Sequence, residues 1–276
     1  MREVHRTVYK LTGKKRVQSN LSMNSNEQLF LCEKDQLEEW ASYFEQKFAG
    51  NPVPLPTDVD GVLPTTNAEK DLIQTPSLAE VEKAVFVLKT QHAFGVYDIP
   101  ADFWHVPQAC QALHNTICSV WLSEELPNDW LCGEMITIWK GKGSKNDSKS
   151  YRSITLLCAA AKAMSAIIAK RISVVAVPKM QDSQSGFRAG CSCADQISIM
   201  RALMRRALAT DRTLYVALLD FDTCDLRYID ESLKHHKVPL KLRRQLHALY
   251  NGAKSSQRVE GKQITIVPPP TWSPSK

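Results

Sequence analysis

The stretch LYVALLDFDTCDLRYID, Leu214–Asp230, decides how the rest of the sequence is read. It opens on an unbroken apolar run and then carries Asp220, Asp222 and Asp225 in quick succession. An apolar run this continuous predicts a strand covered on both faces, central in a sheet, over Leu214–Phe221. Side chains alternate along a strand, so Asp220 and Asp222 share one face at its end. Two ionised carboxylates side by side need solvent, a basic partner or a divalent cation. Asp220 is then either a metal ligand at the lip of a sheet or the polar end of a core strand. The Asp-x-Asp pattern alone does not choose between them.

The totals bound the wider frame. A chain of 276 residues forms one large domain or two small ones. It is 43% hydrophobic and 23% charged, as in ordinary globular proteins. The charged N-terminus MREVHRTVYKLTGKKR lacks the apolar centre of a secretory signal, and no run is long enough to span a bilayer. An intracellular protein, nuclear or cytoplasmic, is expected, with no membrane partner. The eight cysteines form no Cys-x-x-Cys. The nearest approaches to a metal cluster are Cys191-Ser-Cys193 and His235-His236, and reduced thiols are the expectation. From Asp230 onward nine Lys/Arg face three Asp/Glu, while the rest of the chain balances. That basic end fits either a polyanion or a solvated helix face.

Periodicity places the elements. EKDQLEEWASYFEQKF puts Leu37, Trp40, Phe44 and Phe48 on one helical face. Asn51–Thr66, with four prolines and no period, reads as a linker after the basic lead-in Lys10–Arg16. Ser77 and Glu80 form a capping box for a helix buried on Val81, Ala84, Val85 and Leu88. A second helix buries Leu113, Ile117, Val120 and Trp121. EMITIW alternates as a strand at Met135, Thr137 and Trp139, before a glycine turn. A small-residue helix is expected over Ile154–Ile172, buried on Met164, Ile167, Ile168 and Ile172. Asp195–Thr210 reads as a helix exposing Arg201, Arg205 and Arg206, and KLRRQLHALYNG as a basic helix stopped by Gly252. RVEGKQITIV reads as a hairpin, and PPPTWSPSK as a tail without regular structure.

Beside the aspartates, three segments carry possible chemistry. Lys140–Arg152 holds five positive charges, one negative and two glycines. Glycines let backbone approach a phosphate and Lys or Arg neutralises it, though no Walker A pattern is present, and a solvated loop is an equal reading. In QSGFRAGCSCADQ, glycines bracket Phe187-Arg188 just before a helix, a tight turn with Arg188 available to an anion. The turn-rich loop Phe94–Asp102 is the last.

Taken in order, these segments resemble the reverse transcriptase of LINE-type (non-LTR) retrotransposons. The resemblance runs over about residues 8–262 through SLAEVEKAVFVLKT, AFGVYDIPADF, LPNDWLCGEMITIWKGKGSKNDSKSYRSITLL, AKAMSAIIAKRI, QSGFRAGCSCADQI, LYVALLDF and PLKLRRQLHALYNG. It implies an α+β right-hand polymerase fold, fingers plus a partial palm, with an N-terminal helical arm. The implied division is 1–50 arm, 51–75 linker, 76–213 fingers region, 214–267 partial palm and 268–276 disordered tail. It further implies that Asp220 is catalytic and binds Mg²⁺, with the Phe221 carbonyl beside the metal. Arg152, Lys140 and Lys142 would bind the incoming nucleotide, and Gly186, Phe187 and Arg188 would lie against template and nucleotide. The implied activity is RNA-directed DNA polymerase, a nucleotidyltransferase. Its partners would be an RNA template, a DNA primer and deoxynucleoside triphosphates.

The sequence departs from the family at Asp222-Thr223-Cys224-Asp225, where the aromatic residue that gates the ribose is missing. It also supplies no Asp-Asp hairpin after Val267. The expectation is therefore a reverse transcriptase fragment that is inactive alone. The alternatives are a non-catalytic nucleic-acid-binding remnant and a gene-model fragment without a selected function.

Overall fold

The computed structural model describes residues 33–49, 67–88, 99–219, 226–250, 253–259 and 262–266. Helix α1, Glu33–Ala49, buries Leu37, Trp40 and Phe44 along one stripe, as the apolar spacing predicts. The short helix α2, Asn67–Ile73, leads to α3, Leu78–Phe86. The predicted capping box starts α3: the Glu80 N–H donates to Ser77 Oγ at 3.3 Å, and the Ser77 N–H donates to Glu80 Oε2 at 2.9 Å. After a 3-10 turn at Ala101–His105, Pro107 sits at the first position of α4, Pro107–Ser123, where its missing N–H costs nothing. A single turn, α5, Asn128–Leu131, precedes strand β1, Cys132–Trp139.

Strand β2 is Tyr151–Leu156, and α6 follows at Ala159–Ala176 with Cys158 at its N-cap. The helix expected from Ile154 therefore begins later. Ile154–Leu156 instead extends a ladder with β1 from Trp139↔Tyr151 to Glu134↔Leu156, and inter-strand pairing outweighs the apolar continuity that reads as helix. Met164, Ile167 and Ile168 are buried as expected, and Ile172 is half-buried. Helix α7 covers Cys193–Ala209, α8 Leu226–His235 and α9 Leu240–Tyr250. Strands β3, Lys254–Val259, and β4, Lys262–Ile266, form the predicted antiparallel hairpin.

Two cores result. Helices α3, α4, α6 and α9 close on Val81, Leu113, Ile117, Trp121, Met164 and Leu242, all buried. Ala160, Ala161 and Ala163 are buried on α6, where small side chains let neighbouring elements come close. The sheet runs in the order β2-β1-β3-β4, with β3 parallel to β1 in the register Cys132↔Lys254 to Met135↔Gln257. Helix α1 covers one face of the β1–β2 hairpin, where Trp40, Phe44, Met135 and Tyr151 make a second, smaller core.

The expected central strand at Leu214–Phe221 is not formed over its described part. Leu214–Leu219 has no regular secondary structure, and Tyr215, Leu218 and Leu219 are 90%, 93% and 83% exposed. An apolar run becomes a strand only when neighbours take up its backbone N–H and C=O groups, and the four-stranded sheet leaves it unpaired. Helix α7, just before it, likewise buries none of its residues.

The basic C-terminal helix is also not a free cationic face. Arg243 of α9 donates through Nε to Asp230 Oδ1 of α8 at 2.8 Å. Lys241 reaches Glu124 at 2.8 Å, with Arg244 3.9 Å from the same carboxylate. Much of that local charge is spent inside the fold.

Asp220–Asp225, the proline-rich linker Asn51–Thr66, the lead-in Lys10–Arg16, most of the Phe94–Asp102 loop, Gly252 and the tail Pro268–Lys276 lie outside the described residues. So does the side chain of Phe48. No described helix is long and apolar enough to cross a membrane.

Candidate nucleic-acid interface

The β1–β2 hairpin builds the strongest candidate site. Alternation along β1 turns Met135, Thr137 and Trp139 toward α1 and leaves Ile136 and Ile138 on the open face. Across the ladder Ile136 lies opposite Ile154, and Ile138 lies opposite Arg152. The open face is thus an aliphatic patch of Ile136, Ile138 and Ile154 beside the exposed Arg152.

The connection from Lys140 to Ser150 is basic and firmly pinned. The Lys140 N–H donates to Ser150 O at 2.8 Å, and Lys140 Nζ donates to Lys149 O at 2.6 Å. Asp147 caps the short 3-10 turn Ser148–Ser150, its Oδ1 accepting from the Lys149 N–H at 2.9 Å. Gly143 has φ +80°, a conformation that favours glycine, and a Cβ there would lie 2.4 Å from Ser150 Oγ and force that hydroxyl to move. Lys145 Nζ sits 5.2 Å from the centroid of the Trp139 ring, a cation–π contact. The Tyr151 hydroxyl donates to Lys145 O at 2.8 Å. Burial pushes the Tyr151 phenol above its ordinary value of 10.0, which keeps that donor protonated. Lys140, Lys142, Lys145, Lys149 and Arg152 are all exposed on this one hairpin. Such a cluster of cations attracts a polyanion, and isoleucines beside an arginine offer an apolar surface to a base or sugar.

Gly186, Phe187 and Arg188 occupy a separate loop ahead of α7. Arg188 is engaged locally, with Nη1 donating to Gln181 O at 3.2 Å and Nη2 3.6 Å from Asp182 Oδ1. Gln196 of α7 holds the loop through Ser183 O at 3.0 Å and Ser185 Oγ at 2.5 Å. A Cβ on Gly186 would meet only Gln184 Nε2, at 3.5 Å, so the fold itself leaves room for a side chain there. Phe187 adopts φ +58° and is fully exposed. A bulky residue in the left-handed region, with its ring in solvent, gains nothing from the fold for that strain.

Structure thus gathers Lys140, Lys142 and Arg152 on one hairpin and sets Gly186–Arg188 on another loop. Asp220 and Phe221 lie outside the described residues. Among the described residues no group of three or more His, Cys, Asp or Glu is placed to hold a metal ion. Sequence reading counted Lys145 among the five cations of this stretch without giving it a role, and missed Tyr151 and the isoleucine patch. The alternation of β1 signals the isoleucines, but nothing local signals that Tyr151 reaches under the turn.

Comparisons with known proteins give two likenesses. Residues 142–268 match the family model described as reverse transcriptase (RNA-dependent DNA polymerase). A 139-residue segment is 25% identical to the retrovirus-related Pol polyprotein from type-1 retrotransposable element R2 of Nasonia vitripennis. That segment is 49% of this chain and 13% of that protein.

Proposed function

We propose that the chain, whose reverse-transcriptase-like domain is related to the Pol proteins of non-LTR retrotransposons, serves as the template- and nucleotide-binding part of an RNA-directed DNA polymerase. In this reading α1 belongs to an N-terminal arm and the β1–β2 hairpin is the fingers element. Residues from Leu214 onward contribute to a palm. Arg152, Lys140 and Lys142 hold the triphosphate or the nucleic-acid backbone, and Gly186, Phe187 and Arg188 lie against template and incoming nucleotide. Asp220 is the carboxylate that meets Mg²⁺, with the Phe221 carbonyl beside it.

The observation that carries the reading is the hairpin itself. Its pinned, glycine-bearing turn concentrates five cations of the Lys140–Arg152 stretch beside an open aliphatic face. Like charges held this close repel one another, and a polyanion relieves that cost. Binding of single-stranded RNA by the whole chain tests it. The logarithm of affinity should fall linearly with the logarithm of salt concentration. Replacing Lys140, Lys142 and Arg152 together by Ala should flatten that slope by about 2, from about 0.7 for each lost phosphate contact. Salt-insensitive binding, or a triple variant that binds like the parent, would overturn the reading.

The same reading holds that this chain by itself does not extend primers. Its support is the exposed run Leu214–Leu219, which pairs with none of the described strands. Primer extension on an RNA template with Mg²⁺ tests this directly. Template-dependent product that disappears on Asp220→Asn would sink it.

A further inference from the structure

We infer that Tyr151 is a positioning residue for the phosphate-binding turn, its hydroxyl setting the Lys145 backbone while helix α1 immobilises its ring; this rests on the nucleic-acid reading of the hairpin. Tyr151 is 3% exposed and begins β2 opposite Trp139, the last residue of β1. Its ring meets Trp40 of α1 edge-on at 5.1 Å, and Trp40 stacks on Phe44 at 5.6 Å. The ring is therefore clamped from the far side of the hairpin. The hydroxyl, projecting past the strand end, takes the Lys145 carbonyl at 2.8 Å.

That bond joins the middle of an exposed turn to a buried core. The other ties hold the turn to itself: Lys140 to Ser150 and Lys149, Asp147 to Lys149 and Ser150, and Asn146 and Asp147 to Ser144. Lys145 is also the residue whose ammonium rests over Trp139. Tyr151 thus fixes the backbone of Lys145 while Trp139 fixes its charge. A turn crowded with cations would otherwise spread to separate them. Pre-organising it removes an ordering cost from each binding event.

Tyr151→Phe removes the hydroxyl and leaves the ring against Trp40. The test compares the full chain, Tyr151→Phe, Lys145→Ala and the double variant in salt titrations of single-stranded RNA binding, with thermal melts alongside. Tyr151→Phe should weaken binding about threefold to tenfold and flatten the salt slope by about 0.7, one phosphate contact. Its melting curve should stay close to that of the parent. Lys145→Ala should do the same, and the double variant should lose no more than either single change. Parent-like binding by Tyr151→Phe, or additive losses in the double variant, would overturn the positioning role. If the parent itself shows no salt-dependent binding, the nucleic-acid reading falls and takes this inference with it.

Discussion

Arg171 grips Glu80 at two points, Nε to Oε1 at 2.9 Å and Nη2 to Oε2 at 2.8 Å. The same guanidinium donates through Nη1 to Leu72 O at 2.7 Å and Gln74 O at 2.6 Å, and lies 4.6 Å from the Trp121 ring centroid. Glu80 is at once Ser77's partner in the capping box of α3, so one buried cation ties α6 to the start of α3, the end of α2 and the face of α4. Arg171→Met should destabilise the chain by about 3 kcal/mol, because it strands two carbonyls and a carboxylate at a helix start. Arg171→Lys should recover only part of this, since an ammonium lacks the planar fork. Urea melts of both variants measure the difference.

Acid should loosen the same joint. Burial pushes the Glu80 carboxyl up, but hydrogen bonds from Arg171 and Ser77 and the guanidinium charge carry it below the ordinary 4.5. A depressed carboxyl contributes stability that is fully present above the unfolded value and lost as pH falls through the folded one. Stability should therefore decline below about pH 4.5, and Glu80→Gln should remove that part of the decline. Chemical denaturation between pH 3 and pH 6 would show it.

His247 predicts a second, earlier loss. Burial lowers its pKa from 6.5 to about 4, with Asp230 pulling it up and Arg243 pushing it down. The folded state thus holds the imidazole neutral where the unfolded chain would take a proton. Stability is fully present above pH 6.5 and is lost as pH falls from there toward about 4. The group is only partly buried, so solvent screening limits the effect to about 1–2 kcal/mol. His247→Phe should flatten the melting temperature across that range.

Phe187 separates stability from binding. Its φ of +58° costs about 1 kcal/mol for a non-glycine residue, and its exposed ring recovers nothing by burial. Phe187→Gly should leave thermal stability unchanged or slightly raised, while weakening single-stranded RNA binding by about tenfold through loss of a stacking surface. Parallel melts and binding curves decide it, and equal RNA affinity would remove Phe187 from the interface.

The helices were legible because their signals are local. Ser77 and Glu80 announce a cap three residues apart, and Val81, Leu113 and Trp121 fall on stripes that any core would bury. The alternation of Met135, Thr137 and Trp139 sorted β1 into two faces correctly. The basic turn was legible as charge and glycine, but not as a geometry. Nothing near Tyr151 states that its ring will meet Trp40 or that its hydroxyl will cap the Lys145 carbonyl.

Where the reading departed from the structure, a distant partner was responsible. Ile154–Leu156 looks like the start of a helix until β1 pairs with it. The cations of α9 look free until Glu124 and Asp230 claim them. Leu214–Leu219 looks like the centre of a sheet and stands uncovered, because hydrophobicity states that a strand wants neighbours without supplying them.

The sequence by itself determined the helix caps, the buried stripes, the two-faced β1 strand and the resemblance to reverse transcriptases, since each rests on residue types within a few turns or on motif order. Only the tertiary structure decided that β3 lies parallel to β1 and that α1 backs the hairpin. It alone set Arg171 against Glu80 across 91 positions and Tyr151 beneath the basic turn. Those contacts depend on side-chain shape and unpaired backbone groups brought together from far along the chain, and no local pattern encodes such a meeting.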